Sequence, residues 1–400
     1  MSRKEEQMFK VQLLNKIAKI GLEKLPLDKY EIGTEMPHPD AILVRSQDML
    51  TMKMPETLLA IARAGAGVNN IPVDKCAQQG IVVFNTPGAN ANAVKEIVIA
   101  ALLLASRKIV DGINHAKTLV GKGAEVPAII EKDKSKFGGN EVKGKKLGVI
   151  GLGAIGAMVA NDALALGMEV QGFDPFISVD AAWSLSRDVK KARGLDDLIA
   201  SSDFITLHLP QTDKTKGMLN AERFALMKKG VKVLNFARGG LVNNADLKKA
   251  IADGIVSVYV TDFADEELLK MDKTICIPHL GASTEESEDN CAVMAVRQVM
   301  DFLENGNIVN SVNFPACQMG RVRGSRICIA NKNVSGVVGH ISTILADAKL
   351  NISEMLNKSH GDYAYNIVDI DGAVPQEAIQ KLSQVKDVIK VRLIPKENGK

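Results

Sequence analysis

"KKLGVIGLGAIGAMVANDALALG", residues Lys145–Gly167, decides how the rest of the chain is read. A short apolar strand runs into Gly151-Leu-Gly153-Ala-Ile-Gly156, and a helical run of small apolar residues follows. A bare G-x-G-x-x-G is a weak signal, but a strand before it and a helix after it are the setting in which it binds a dinucleotide. Gly151 permits the tight turn, Gly153 lets a pyrophosphate approach the backbone, and Gly156 lets the helix pack close to the strand. The free N–H groups and positive end of that helix then face the phosphates.

Downstream, the next strand ends in "GFDP", which puts Asp174 eighteen residues after Gly156. A carboxylate there accepts hydrogen bonds from a ribose 2′-hydroxyl and repels a 2′-phosphate. No arginine follows it directly, so NAD is expected rather than NADP. "KLGVIGLG", "EVQGFD", "DFITLHLP", "VKVLNFA", "VSVYVTDF" and "TICIPHL" are six strand candidates between Lys145 and Leu280. Alternating with helices, they predict a six-stranded doubly wound parallel sheet.

Upstream, "FKVQLLN", "AILVRS", "TLLAIARAG" and "GIVVFNTPG" read as strands of a second α/β layer. One long helix is expected over Asn92–Lys117, followed by a solvated charged link, "EKDKSKFGGNEVKGKK". Past Leu280 comes an amphipathic helix from Glu285 to Asn305. "SVNFPACQMGRVRGS", with proline, glycines and no periodicity, reads as a linker. From Arg326 the order strand, helix, strand, strand, helix, strand predicts a small ferredoxin-like βαββαβ module.

Bulk numbers exclude several classes. With 46% hydrophobic and 24% charged residues over 400 positions, the chain can bury two to four cores. A net charge of +3 gives no reason to expect nucleic acid or acidic membrane, and 4% aromatics argues against base stacking. Five scattered cysteines form no C-x-x-C pair and no metal-ligand spacing, so no metal is expected and a reducing cytoplasm fits. The charged start lacks a signal region, and the longest apolar run, Ile97–Ala105, is too short to span a bilayer.

Three loops at the carboxyl ends of the last strands carry reactive side chains: "NFARGG" has Arg238, "DFADEE" has Glu266 and Glu267, and "PHLG" has His279. Each suits part of a hydride transfer on a 2-hydroxy acid. Arg238 offers a planar fork for a carboxylate and its adjacent oxygen. His279 takes the hydroxyl proton in one direction and returns it in the other. Glu267 would orient the imidazole and favour its protonated form.

These segments, "VIGLGAIGAMVA", "NFARGGLVNNADLKKAI" and "PHLGASTEES", resemble those of the D-2-hydroxyacid dehydrogenases, with "LVRS", "RAGAGVNNI" and "VVFNTPGANA" in matching order. The resemblance implies a catalytic trio of Arg238, Glu267 and His279. It also implies that Ala154, Ile155, Asp174, Leu209, Ala237, Asp262 and Gly281 lie near NAD. Family members have Glu-Pro where Glu267 is followed here by Leu268, so Glu266 stays open as the histidine's partner.

The domain plan it implies is a Rossmann-like nucleotide domain, 93–289, inserted into a split substrate domain, 1–92 and 290–315, with the substrate in the cleft between them. A C-terminal ACT module, 323–400, would follow. For a phosphorylated hydroxy acid, 3-phosphoglycerate being the expected one, Arg45, Ser46, Arg63 and Gly65 match substrate-binding positions. Lys134 replaces an arginine of the relatives. Asn331, Asn333 and Asn351 match positions that hold an L-serine effector, and a homodimer or homotetramer is expected. The rival readings are a glyoxylate or hydroxypyruvate reductase, and a non-catalytic NAD-sensing regulator on the same fold.

Overall fold

The computed structural model describes residues 8–320 and 324–395. The charged start up to Gln7, the Arg321–Arg323 part of the expected linker and the stretch 396–400 lie outside the described residues. The chain divides into two compact units, Ala91–Thr284, and Met1–Asn90 together with Glu285–Lys400.

The first unit is Rossmann-like. Its parallel sheet runs in the order Thr274–Cys276, Val256–Thr261, Val231–Asn235, Phe204–Leu207, Lys146–Ile150, Glu169–Phe173, Lys190–Lys191. Central strands such as Phe204–Leu207 are buried throughout, which is why they read as unbroken apolar runs. The six expected strands are present. The seventh, two exposed lysines at the edge, has no apolar signal to announce it. Strand order reverses between Lys146–Ile150 and Phe204–Leu207, so the loops leaving these two strands flank the crevice where such sheets bind ligands.

The expected long helix is two, Ala91–Ser106 and Ile109–Lys117. The Ser106 carbonyl is taken by the Asn140 amide at 2.9 Å, and Gly139 approaches so closely that a Cβ there would collide with it. The charged link likewise folds, into helix Val126–Asp133 and the 3-10 turn Lys134–Phe137. None of Ile109–Lys117, Val126–Asp133 or Lys134–Phe137 contains a buried residue.

In the second unit a five-stranded parallel sheet runs Tyr30–Gly33, Phe9–Leu13, Ala41–Val44, Ala60–Arg63, Val82–Phe84. The unexpected strand is Tyr30–Gly33, whose only buried residue is Tyr30. At the other edge Asn313 stands in for a strand. Its Oδ1 accepts from the Val83 amide and its Nδ2 donates to the Ile81 carbonyl, both at 2.9 Å. The supposed linker is therefore a packed element, with Phe314 and Cys317 buried and Ile308 bridged to Cys317.

The last part of this unit has the expected βαββαβ order. Its antiparallel sheet runs Ile352–His360, Tyr363–Ile370, Ser325–Lys332, Val388–Ile394, with helices Val337–Asp347 and Gln376–Ser383. One face joins the core of the five-stranded layer, where Cys328, Ala330, Tyr365 and Ile367 pack with Phe302, Phe314 and Cys317. Burying each phenylalanine stabilises by about 1.5–3 kcal/mol. Polar ties converge on the end of helix Glu285–Asn305. Arg326 donates to Asn305 O (2.8 Å), Tyr365 Oη to Gly306 O (3.0 Å), and Arg392 to Phe302 O. Asn305 O is one of the carbonyls that a helix leaves without an intrahelical partner, whereas Phe302 O also accepts from the Gly306 amide (2.9 Å).

Candidate active site

The glycine turn obeys its steric logic. Gly151 has φ +92°, and a Cβ there would strike the His208 carbonyl. One at Gly156 would strike the Gly151 carbonyl, whereas Gly153 faces open space. Helix Ala154–Ala165 begins directly afterwards. Its first intrahelical bond is Ala157 N–H to Gly153 O (3.0 Å), which leaves the amides of Ala154, Ile155 and Gly156 free of that ladder. Leu209 N is 3.3 Å from the position of a Gly151 Cβ, so the two loops meet at the strand-order reversal.

Asp174 caps this arrangement. Its Oδ2 accepts from the Leu152 amide (2.9 Å) and its Oδ1 from the Phe176 amide (2.8 Å). An ionised carboxylate has about four acceptor sites, so capacity remains for ribose hydroxyls. The cradle without side chains, the free amides and the acid fit a dinucleotide. Beside it, burial pushes the His208 imidazole down to about 3, and its Nε2 lies 2.9 Å from Thr206 Oγ1. It is therefore neutral near pH 7 and adds no charge beside the glycine turn.

At the carboxyl edge, Asp262 is the organising group. It is 3% exposed, its Oδ2 accepts from the Gly281 amide (3.3 Å), and its Oδ1 has no partner among the described residues. Burial raises its pKa, opposed by the charges of His279 and Arg238. Asp262, Gly281, His279 and Arg238 are thus one electrostatic cluster. Gly281 has little choice of residue, since a Cβ would sit 3.1 Å from the Asp262 carboxylate.

His279 is exposed and held edge-on by Phe263, ring centroids 4.7 Å apart at 64°. Arg238 is exposed, with Nη1 on the Ala237 carbonyl (2.7 Å). Its loop is fixed from below by buried Asn235. That side chain donates to Arg238 O (2.9 Å) and accepts from the Ala237 amide (3.2 Å). Neither Asn235 nor Phe263 stands out in the sequence by its own chemistry. The available signal was their place beside the reactive residues, in "LNFARGG" and "TDFADEE".

Glu267 lies in the one-turn helix Glu266–Leu269, exposed and without a hydrogen bond or ion pair among the described residues. Glu266 is engaged by Lys270 at 2.5 Å. No hydrogen bond joins either acid to His279 among the described residues, and such acid–base partners commonly tighten only around substrate.

The residues expected to bind substrate divide. Arg45 and Arg63 end neighbouring strands, with Val44 and Arg63 in register. Arg45 Nη2 meets Glu288 Oε1 at 2.7 Å. Arg63 works as a brace, with Nε on the Arg45 carbonyl (2.9 Å) and Nη1 on the Gly67 carbonyl (2.5 Å). A Cβ at Gly65 would sit 2.7 Å from Arg63 Nη1. The backbone amides of Arg45, Ser46 and Gln47 all donate to Asn15 Oδ1, another residue that the sequence did not single out. Lys134 sits on an exposed turn, paired with Glu131.

The three asparagines of the C-terminal sheet do not converge within one chain. Asn331 is buried, its Oδ1 accepting from Asn366 (2.7 Å), and Asn333 donates to Gly361 O (3.1 Å). Asn351 donates to Asp371 (2.6 Å), beyond the end where Ser325 pairs with Ile370. Six residues of strand, about 20 Å at ~3.3 Å each, separate that end from Asn331.

Comparison with known proteins adds four findings. Residues 99–281 match the model of the D-isomer specific 2-hydroxyacid dehydrogenase, NAD binding domain. The D-3-phosphoglycerate dehydrogenase of Haemophilus influenzae is 30% identical over 390 residues, 94% of this chain and 91% of that protein. That of Archaeoglobus fulgidus is 37% identical over 320 residues, 77% of this chain, although the chain spans only 58% of its length. The NAD+-bound 3-phosphoglycerate dehydrogenase structure from Entamoeba histolytica superposes with a TM-score of 0.60 at 26% identity. It covers 77% of this chain and 99% of that one.

Proposed function

The chain belongs to the D-isomer specific 2-hydroxyacid dehydrogenase family, and on that premise we propose that it oxidises 3-phospho-D-glycerate to 3-phosphohydroxypyruvate, with NAD as cofactor. The observation that carries the reading is the cluster of Arg238, Asp262, Gly281 and His279 on the sheet whose glycine turn and Asp174 fit a dinucleotide. When bound, NAD supplies the hydride acceptor. The amides of Ala154, Ile155 and Gly156 would hold its pyrophosphate, Asp174 its ribose, and Leu209, Ala237, Asp262 and Gly281 the rest.

Arg238 would clamp the substrate carboxylate, with its backbone fixed by Asn235 so that the fork keeps its orientation. His279 would accept the proton of the 2-hydroxyl, and Phe263 restricts the swing of its ring. Glu267, rather than Lys270-bound Glu266, is free to support the imidazolium. Asp262, buried, accepts from the Gly281 amide and lies under the charges of His279 and Arg238. Arg45 would take the phosphate end with Ser46, while Arg63 and Gly65 set its loop. Lys134 would contribute charge only.

We read 323–400 as an ACT module with L-serine as its effector. Since Asn331 and Asn333 lie far from Asn351 in one chain, a complete effector site would need residues from a second copy. The exposed helices Ile109–Lys117 and Val126–Asp133 give such an oligomer a surface to bury. Among the described residues no helix is long and apolar enough to cross a membrane. We assign the protein to the cytoplasm on its five unpaired thiols.

The test is NADH consumption with 3-phosphohydroxypyruvate, glyoxylate and hydroxypyruvate side by side. The phosphorylated substrate should have the highest kcat/KM. A higher value for either unphosphorylated substrate overturns the assignment in favour of a reductase of the same family.

A further inference from the structure

At the loop edge of the five-stranded sheet, the backbone around Arg45 is fixed from several sides. Asn15 Oδ1 gathers the amides of Arg45, Ser46 and Gln47 at 3.2, 3.1 and 2.8 Å. Asn70 Nδ2 donates to Gln47 O (2.8 Å), and Arg63 Nε donates to Arg45 O. The side chain, by contrast, is held among the described residues by one ion pair, Nη2 to Glu288 Oε1 at 2.7 Å. Arg45 is 41% exposed and Glu288 44%, so water, ions and substrate can all compete for the guanidinium.

Exposed ion pairs of this kind are weak and easily exchanged. Glu288 also has somewhere to put its charge after release, because it lies in the first turn of helix Glu285–Asn305. The positive end of a helix stabilises a carboxylate there without any side-chain partner. A phosphate monoester brings a charge near −1.5 to −2 and three acceptor oxygens, against one oxygen of Glu288.

We propose that Glu288 is a specificity-determining residue, the built-in competitor for Arg45. It neutralises the guanidinium towards uncharged and singly charged groups and yields it to a phosphate dianion. The inference rests on the assignment of Arg45 to the phosphate end of the substrate. Without Glu288 the arginine is an open anion site, tighter for phosphate and less selective among small anions.

The experiment compares Glu288→Gln, Glu288→Ala, Arg45→Ala and the Arg45→Ala/Glu288→Gln double variant, each checked for an unchanged thermal melt. KM is measured for 3-phosphohydroxypyruvate and for hydroxypyruvate, with inorganic phosphate as inhibitor. Glu288→Gln should lower KM for the phosphorylated substrate about two- to fivefold, the range an exposed pair can supply. Inhibition by inorganic phosphate should strengthen, and both effects should shrink as salt is added. In the double variant the gain should vanish, because the two residues act through each other.

A higher KM in Glu288→Gln would mean that the acid holds Arg45 in place, and the competitor role would be wrong. An equal fall on both substrates would reduce it to a general charge effect and overturn the proposal. If Arg45→Ala raises KM selectively while both Glu288 variants change nothing, the inference fails alone. If Arg45→Ala has no phosphate-selective effect, the assignment of Arg45 falls and takes the inference with it.

Discussion

Two arginines, in two regions, show how differently this chain treats a guanidinium. At the loop edge of the nucleotide sheet, Arg238 is exposed, and among the described residues its guanidinium hydrogen-bonds only the carbonyl of its own neighbour. At the joint beneath the C-terminal sheet, Arg326 has no exposed surface and makes four hydrogen bonds: two to Asp369 at 2.6 and 2.8 Å, one to Asn305 O and one to Gly320 O. A buried charge must be fully paired, because an unpaired one is far costlier than any bond it could make. A group meant for a ligand has the opposite requirement. Its donors must still be available when the ligand arrives, while its backbone is held still by something else, here Asn235. Arg45 falls between these extremes, paired once and weakly.

The contrast can be broken by separating activity from stability. His279→Asn should lower kcat by about two to four orders of magnitude, as expected for a positioned acid–base group. The urea midpoint should stay at the wild-type value, since the imidazole is exposed. Near-normal turnover would remove His279 from the chemistry, and a large loss of stability would put it with Arg326.

Arg326→Ala should do the reverse. It leaves Asp369 and the Asn305 and Gly320 carbonyls without their donor, a change that typically destabilises by about 3–5 kcal/mol. Urea denaturation reads this directly, and the fraction still folded should bind NADH as the wild type does, because Arg326 belongs to the other unit. A stability within about 0.5 kcal/mol of wild type, the usual range for surface changes, would dissolve the distinction drawn here.

Asp174 sharpens the comparison from the middle ground, since it holds two backbone amides and keeps acceptor capacity for ribose. Asp174→Asn retains an acceptor for one amide but removes the charge. NADH affinity should fall about tenfold, the scale of one hydrogen bond to a charged group. NADPH should gain as the repulsion of its 2′-phosphate is lost. Equal use of both cofactors by the wild type would remove Asp174 from the ribose.

What the sequence disclosed follows the same division. The nucleotide sheet was legible because its strands are buried on both faces and its glycines are steric necessities, each visible as an apolar run or a missing side chain. Tyr30–Gly33 and Lys190–Lys191 were not, being edge strands with one buried residue and none. Phe314 and Cys317 looked like linker because the surfaces that bury them come from elsewhere in the chain: the C-terminal sheet and the strands of the amino-terminal layer. Asn15 and Glu288 are ordinary polar residues until folding brings each against Arg45, 30 and 243 positions away, whereas the partners of Asn235, Ala237 and Arg238, stand only two and three positions along. The Asp262 carboxylate shows the limit from the other side. Resemblance places it near the cofactor, but only the folded arrangement brings its buried carboxylate under the charges of His279 and Arg238.

The bond from Asn313 to the Val83 amide spans 230 residues, and this sets an order on how the protein is made. Ala91–Thr284 is contiguous, so the nucleotide unit has everything it requires once residue 284 has left the ribosome. The other unit is made from both ends of the chain. Its first ninety residues emerge with the Val82–Phe84 edge open, and at roughly 5–20 residues per second that edge waits about ten to fifty seconds for Asn313 to be synthesised. An exposed strand edge is a template for wrong pairing for as long as it stays open. In the growing polypeptide the earlier half of this unit is thus completed only after the nucleotide unit, and its risk of misassembly is set by translation speed as well as by its own stability.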